Sequence, residues 1–327
     1  MASVLILEYP LGTDFIRGPF MNSAIAACCL LLLSGAGLGP APQKTIRSEV
    51  SLVDLYFSAL DGRGNPVDGL KMEDFRVFEN GMEQQIEFFS EAEKRTDAIL
   101  TIALLVDTSR SVNDKLRYEI DTAAEFFREI LRPDRDLALV AQFDSEVSLV
   151  RDFTQDQGAL IRALEGLKAG TSTALYDAVY LIAAQKMRHE AGRRVMVVLS
   201  DGEDTSSLVT REEAIEAAQK SDCLLYGIGV QGSGTAGGFG PLKNMAERTG
   251  GAFFSPRARF DDIRETFLSI GRDLRGQYSL AYSPKDKRKN GTFRAIEIRC
   301  GTKGVRIRAR RGYYAPEPAR DGAEAAP

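Results

Sequence analysis

The chain has 327 residues, of which 44% are hydrophobic and 27% are charged, and this composition is ordinary for a globular protein with enough apolar residues for a core. Its formal charge of −4 gives no overall basic character that would point to nucleic acid. The sequence holds a single His, four Cys and no Trp, and one His excludes metal centres built from several histidines.

Residues 1–36 have the layout of a signal peptide or an N-terminal anchor. Arg17 precedes the apolar run AIAACCLLLL at residues 24–33, and small residues follow this run. Because ten apolar residues are too few to cross a bilayer, which takes about 20, a cleaved secretory signal is favoured. The lack of charge between Arg17 and Lys44 keeps an uncleaved anchor open, and Met21 is an alternative start. We expect an exported protein that is periplasmic, envelope-associated or secreted.

The cysteines are not expected to form a metal site or a disulfide. Cys28 and Cys29 belong to the N-terminal apolar run. Cys223 and Cys300 lie in strand-like segments, and we interpret each as a small buried hydrophobic residue.

The rest of the chain shows a β pattern, then an α/β pattern, then a second β pattern. The first β pattern turns at Asn80-Gly81, a strong hairpin signal. The middle pattern alternates apolar strands with helices, which is typical of a doubly wound, mostly parallel sheet. The predicted boundaries are a linker at 37–47, β segments at 48–96 and 276–315, an α/β domain at 97–275 and a disordered tail at 316–327.

Each β segment alone would leave unpaired strand edges, which promote aggregation. We therefore predict that the two segments pair into one β-sandwich and that the α/β domain is inserted between them. The predicted fold class is α/β, with this sandwich attached.

Oxygen-bearing side chains follow the predicted strands of the α/β domain. Asp107, Ser109 and Ser111 come directly after one strand, and Asp201 follows another. Thr173 lies in a loop that opens a helix. Sites in such folds lie at the carboxyl ends of the strands. An oxygen-only set of ligands suits Mg²⁺, with Mn²⁺ or Ca²⁺ as alternatives.

These loops, DTSRS, GTSTALYDA and SDGED, resemble the metal-ion-dependent adhesion site of a von Willebrand factor type A domain. The segments GNPVDGLKMEDFRVFENG and YSLAYSP…RRGYYAP extend the resemblance to the acidobacterial-type VWFA-related family, over roughly residues 48–315. The resemblance implies a non-enzymatic, adhesion-type protein that binds a partner's Asp or Glu through one divalent cation. The ligands it implies are Asp107, Ser109, Ser111, Thr173 and Asp201.

Other polar residues near these loops have weaker interpretations. We interpret Asp177 as a first-turn helix residue, with a sixth ligand as the alternative. Glu203 and Asp204 are either the rim of the site or solvated loop charges. His189 precedes a strand whose carboxyl end bears Asp201, so it lies at the wrong end of that strand to serve the site. No nucleophile–base pair or cofactor loop is present, and we do not predict an enzyme.

A basic stretch lies in the second β segment, where residues 285–311 carry eleven basic and two acidic side chains. Arg306, Arg308 and Arg310 alternate with apolar residues, which places them on one strand face. This face predicts a second candidate function, an envelope scaffold that binds an anionic polymer; a solvated, partly neutralised face is the alternative. No aromatic residues interleave to stack bases, so nucleic acid is not favoured.

Membrane contact would come only through an uncleaved N-terminal segment. A cytoplasmic partner of an ATPase complex is a further alternative.

Overall fold

The computed structural model describes residues 3–4, 52–91, 99–109, 116–229, 238–257 and 259–318, and these belong to one compact unit. The apolar run with Cys28 and Cys29, the 37–47 linker and the tail beyond residue 318 lie outside the described residues. Within the described residues, no helix is long and apolar enough to cross a membrane.

The described elements follow one another in the predicted order, β, then α/β, then β. The strands are β1 (Ser3–Val4), β2 (Val53–Leu60), β3 (Phe75–Glu79), β4 (Met82–Gln84), β5 (Ile86–Ser90), β6 (Leu100–Asp107), β7 (Leu137–Phe143), β8 (Val147–Thr154), β9 (Arg193–Ser200), β10 (Cys223–Gly229), β11 (Phe253–Phe254), β12 (Tyr278–Tyr282), β13 (Phe293–Cys300), β14 (Arg306–Ala309) and β15 (Gly312–Tyr314). The α-helices are α1 (Leu116–Ile130), α2 (Gln157–Glu165), α3 (Leu175–Leu181), α4 (Arg211–Lys220), α5 (Gly240–Thr249) and α6 (Phe260–Arg275).

A seven-stranded sheet in the order β1-β8-β7-β6-β9-β10-β11 forms the centre of the α/β domain. The pairs from β7 through β6, β9 and β10 to β11 are parallel, and β8 is antiparallel to β7. Helices α1, α2 and α6 share one core with the sheet. Helix α5 covers the other face, where Gly227 lies against Leu242. The prediction of a doubly wound, mostly parallel sheet is confirmed.

Two details of this domain differ from the sequence pattern. The helix predicted to follow the Thr173 loop is α3, which continues as a π-helix, Ile182–Met187. There the Ala183 carbonyl accepts hydrogen bonds from the amide of Arg188 and from the Ser221 hydroxyl, at 3.1 and 2.8 Å. The second detail is β1, which lies in the predicted signal segment and pairs with β8.

The two β segments form two four-stranded sheets, and each sheet contains strands from both segments. One has the order β14-β2-β12-β5 and the other β15-β13-β3-β4. Side chains from both sheets share one core that includes Phe57, Phe75 and Tyr278, with the first two rings 5.0 Å apart. The predicted pairing of the segments is therefore confirmed. The run EQQIEFF at residues 83–89, which follows the predicted Asn80-Gly81 turn, is divided between β4 and β5, and these strands belong to different sheets.

A buried polar group links these two sheets. The Glu79 carboxylate accepts hydrogen bonds from the hydroxyls of Tyr282, at 2.8 Å, and Tyr313, at 3.0 Å. Arg294 is buried beside it and donates to the other carboxylate oxygen at 3.3 Å. Because Tyr282 belongs to one sheet and the other three residues to the opposite sheet, this group sets how the sheets face each other.

The sandwich contacts the α/β domain at the amino ends of its parallel strands. Buried Asp273, near the end of α6, accepts a hydrogen bond from the Ser58 hydroxyl of β2 at 2.7 Å and another from Tyr226 of β10. Arg308 of β14 forms an ion pair with the same carboxylate. Only two residues separate α6 from β12. Among the described residues, the sandwich therefore contacts the end of the sheet opposite to the one that carries Asp107 and Asp201.

Asp136 provides a test of how the sheet is anchored. Its buried carboxylate accepts hydrogen bonds from the amide of Leu100, the first residue of β6, and from the Arg132 amide and guanidinium. Burial alone would raise its pKa, but these hydrogen bonds and the Arg132 charge hold the pKa below its usual value. We expect Asp136→Asn to lower the free energy of unfolding at pH 7 by about 2 kcal/mol, measured by urea denaturation.

The same variant should show a defined pH dependence. Because the folded state lowers this pKa, the stabilisation is present above the unfolded value of about 4 and is lost as the pH falls through the lower folded value. The difference between the two proteins should therefore shrink below about pH 4. Asp121→Asn, at an exposed position of α1, is the control and should change stability by less than about 0.5 kcal/mol. A difference that stays constant at low pH would contradict the interpretation.

Candidate metal-binding site

Two carboxylates lie at the carboxyl ends of neighbouring parallel strands. Asp107 is the last residue of β6, and Asp201 follows the last residue of β9. Ser200 joins the two ends, since its hydroxyl donates to Asp107 Oδ2 at 2.6 Å and accepts from the Gly202 amide at 3.0 Å. The strand register alone brings these residues together, because β6 and β9 are adjacent in the sheet.

Both carboxylates are buried, with 0% of Asp107 and 1% of Asp201 exposed. Burial raises the pKa of Asp107 to about 6, and the charge of Asp201 adds to this effect. Hydrogen bonds from Ser109 and Ser200 act in the opposite direction. Two buried like charges are costly when uncompensated, and a bound cation would relieve that cost.

The loop that carries Thr173 is held against both strand ends by backbone hydrogen bonds. The Gly170 amide donates to the Thr108 carbonyl at 2.6 Å, beside the Asp107 strand end. On the other side, the amides of Thr205 and Ser206 donate to the Thr173 carbonyl at 2.8 and 3.0 Å. Thr173 therefore lies between the loops that carry Asp107 and Asp201.

The residues present fit a hard divalent cation. Asp107 and Asp201 supply carboxylate oxygens, and Ser109 and Thr173, which are buried residues with 2% and 4% exposure, add hydroxyl oxygens. The structure thus brings four of the five predicted ligands together, and the fifth, Ser111, lies outside the described residues. Among the described residues, no cluster of three or more His, Cys, Asp or Glu side chains has the arrangement of a metal site. The site depends instead on two carboxylates supported by hydroxyls, a ligand set suited to Mg²⁺, Mn²⁺ or Ca²⁺.

Two further acidic residues tie the loop after β9 to helix α3. Asp177, in the first turn of α3, accepts hydrogen bonds from the amides of Leu208 and Val209, both at 2.9 Å. Asp204 accepts from the Tyr176 amide at 3.1 Å. Both carboxylates are therefore engaged in holding loops. The sequence showed Asp177 in a first helical turn but gave no sign of these long-range partners.

The remaining predicted residues lie as follows. Glu203 is half-buried, and its amide donates to Asp201 Oδ1 at 3.1 Å, so it directly adjoins a predicted ligand. His189 is exposed and precedes β9, at the edge of the sheet opposite the site. Of the glycine-rich stretch at residues 231–240, which follows β10, only residues 238–240 are described.

The three arginines expected to form one basic strand face differ in their surroundings. Arg308 pairs with Asp273, and Arg310 pairs with Asp222 and donates to the Asp54 carbonyl at 2.8 Å. Arg306 is exposed. Strand β14 is an edge strand next to the α/β domain, whose carboxylates neutralise Arg308 and Arg310, so these ion pairs favour the alternative of a partly neutralised face.

Both cysteines that the structure describes are free, Cys223 being buried and Cys300 partly so. Burial raises the pKa of the Cys223 thiol above its usual value. This agrees with the interpretation of Cys223 as a small hydrophobic residue.

An open, mostly parallel sheet with helices on both faces and buried carboxylates at adjacent strand ends defines a doubly wound α/β domain with a polar site at its strand ends. The family model of the von Willebrand factor type A domain matches residues 101–267, about half of the chain. The chain therefore belongs to the von Willebrand factor type A domain family. No curated protein matches the sequence.

Several solved structures resemble the chain at low identity. An aerotolerance-related membrane protein from Bacteroides fragilis is 15% identical, with 54% of this chain and 98% of that chain covered and a TM-score of 0.44. The vWF domain of the type V pili tip protein Mfa5 from Porphyromonas gingivalis is 14% identical, with 54% and 95% covered and a TM-score of 0.45. Proximal thread matrix protein 1 from the mussel byssus, with a zinc-occupied MIDAS motif, is 15% identical, with 60% and 50% covered and a TM-score of 0.47.

Gly170 provides a test of the site that removes no ligand. A Cβ atom at this position would overlap the Asp144 side chain, so Gly170→Ala must displace the loop that carries Thr173. We expect a loss of about 1–3 kcal/mol of stability and weaker Mg²⁺ binding, measured by urea denaturation without metal and by calorimetric titration. Gly166→Ala is the matched control, since the nearest atom to its Cβ would lie 3.5 Å away. Equal Mg²⁺ affinity in both variants would contradict the assigned position of Thr173.

Proposed function

We propose that the protein is an exported, non-enzymatic binding protein. Its site holds one divalent cation, Mg²⁺ or else Mn²⁺ or Ca²⁺, and recognises an Asp or Glu carboxylate of a partner protein. The observation that carries the proposal is the convergence of Asp107, Ser109, Thr173 and Asp201 at one edge of the sheet. Export rests on the signal-like N-terminal sequence.

Each residue of the site has a separate part in this proposal. Asp107 and Asp201 would hold the cation, and the Ser200 hydroxyl keeps Asp107 oriented. Ser109 and Thr173 offer neutral oxygens, so the protein adds little further negative charge. A divalent cation held there supplies an electrophilic centre for a partner's carboxylate oxygen.

The position of the site also supports a binding role. Because the sandwich occupies the amino ends of the strands, a large partner could approach the carboxyl ends unobstructed. The Ser200 hydroxyl is fully buried and already hydrogen-bonded to Asp107 and the Gly202 amide, so it orients a carboxylate rather than acting as a nucleophile.

The charge of the loops around the site bears on which side chains can flank the partner's carboxylate. The described parts of these loops are residues 107–109, 144–146, 166–174 and 201–210. Besides the two predicted carboxylate ligands they carry four acidic residues, Asp144, Glu146, Glu203 and Asp204, and one basic residue, Lys168. This negative rim would disfavour a run of acidic residues. We infer that the partner presents a single carboxylate among neutral or basic side chains.

Asp107→Asn tests the proposal directly. It keeps the side-chain volume but removes a charged ligand, so we expect no measurable Mg²⁺ binding by isothermal titration calorimetry and no metal-dependent partner capture from an envelope extract. Asp152→Asn is the matched control, because Asp152 is an exposed carboxylate paired with Lys186.

Three outcomes would contradict parts of the proposal. Unchanged Mg²⁺ affinity in Asp107→Asn would overturn the metal site. Partner capture that persists in EDTA would separate partner binding from the metal. Recovery of the protein in the cytoplasmic fraction of cells would overturn export.

A further inference from the structure

A cleft of about 450 Å³ lies between the amino ends of the sheet and the sandwich. It is far from the metal-binding site along β9, since Arg193 and Arg194 at the start of that strand line it and Ser200 at the other end contacts Asp107. Its volume is in the range of small-molecule sites, which often occur between domains. Ile99 and Leu224 are apolar residues of its lining.

The cleft carries an excess of positive charge. Three arginines, Arg193, Arg194 and Arg310, line it together with two aspartates, Asp54 and Asp222. Asp222 is shared, because it pairs with Arg310 and lies 3.7 Å from Arg194. One additional negative group would balance the charges.

Several buried atoms of its lining residues lack a hydrogen-bond partner. Gln219 is only 4% exposed; its Nε2 donates to the Arg248 carbonyl at 3.0 Å, but its Oε1 accepts no hydrogen bond. The Nε–H groups of Arg194 and Arg310 have no acceptor. Buried polar atoms left in this way are rare and costly. Among the described parts of the chain, the residues that line the cleft therefore hold two buried donors and one buried acceptor without a partner.

We propose that this cleft binds a small oxyanion that also carries a hydroxyl group. The anionic oxygens accept hydrogen bonds from Arg194 and Arg310 and balance the excess charge, while the hydroxyl donates to Gln219 Oε1. A phosphate group and a hydroxy acid share this chemistry. The proposal concerns a site separate from the metal-binding site and does not depend on it.

Paired probes separate these requirements. Near pH 7 inorganic phosphate carries a hydroxyl that sulfate lacks, and glycolate carries a hydroxyl that acetate lacks. The full chain, kept free of metal with EDTA, is titrated with each anion in a calorimeter. We expect the hydroxyl-bearing member of at least one pair to bind about tenfold more tightly than the other member. This factor corresponds to the gain of one hydrogen bond to an acceptor that otherwise has no partner. A preference within the phosphate pair identifies a phosphoryl ligand, and one within the glycolate pair a hydroxy acid.

Variants assign the binding to the cleft. Arg194→Gln should weaken binding of the preferred anion about tenfold or more, the scale of a charge-assisted hydrogen bond. Gln219→Met should abolish the preference for the hydroxyl-bearing anion. Arg299→Gln is the control, because Arg299 is exposed on the sandwich and paired with Glu297. Circular dichroism and thermal unfolding without anion confirm that each variant is folded. Absence of binding, equal affinity within both pairs, or equal loss in Arg194→Gln and Arg299→Gln would overturn the proposal.

Discussion

Strand β2 is bonded on both sides to strands from the far end of the chain, and the arrangement of the protein depends on this pairing. Phe57 pairs with both Tyr278 of β12 and Ala309 of β14. Neither β segment completes a sheet alone, so the α/β domain must bring residues 91 and 276 close enough for strands of the two segments to pair. Pairing so distant in sequence is slow to form, because the chain loses loop entropy before the contacts can compensate.

The same strand fixes which edge of the α/β domain is covered. Ser58 of β2 donates to Asp273 near the end of α6, and Arg308 of β14 pairs with the same carboxylate. Buried polar groups of this kind favour one relative position of the two parts, because a buried group left without its hydrogen-bond partner would lower the stability of the fold. The sandwich is thereby held at the amino ends of the strands. Asp107 and Asp201 lie at the carboxyl ends, so within the described residues the structural attachment and the candidate binding site occupy opposite ends of the same strands.

Much of this could be predicted from the sequence because the signals were local or periodic. Continuous apolar strands that alternate with helices indicated the parallel sheet, and sheet topology then placed Asp107 and Asp201 together. The roles of Asp177 and Asp204 could not be predicted, because their partners are backbone amides that no residue pattern reveals. In the π-helix after α3, the Ala183 carbonyl accepts a hydrogen bond from the Ser221 hydroxyl of another segment, a contact that the residue pattern does not reveal. The division of EQQIEFF between two sheets likewise depends on tertiary pairing, because alternation alone does not show which sheet a strand joins.

The charge asymmetry of the sequence illustrates the same limit. The basic segment at 285–311 suggested a surface that binds anionic polymers, because the sequence alone does not show which charged side chains are paired inside the fold. In the fold, Arg294 is buried beside Glu79, and Arg308 and Arg310 pair with carboxylates of the α/β domain. Part of the basic charge therefore holds the protein together internally. Other basic side chains of the segment stay exposed, among them Lys303 and Arg306. An excess of charge in a sequence thus becomes informative about ligands only after internal pairs have been subtracted.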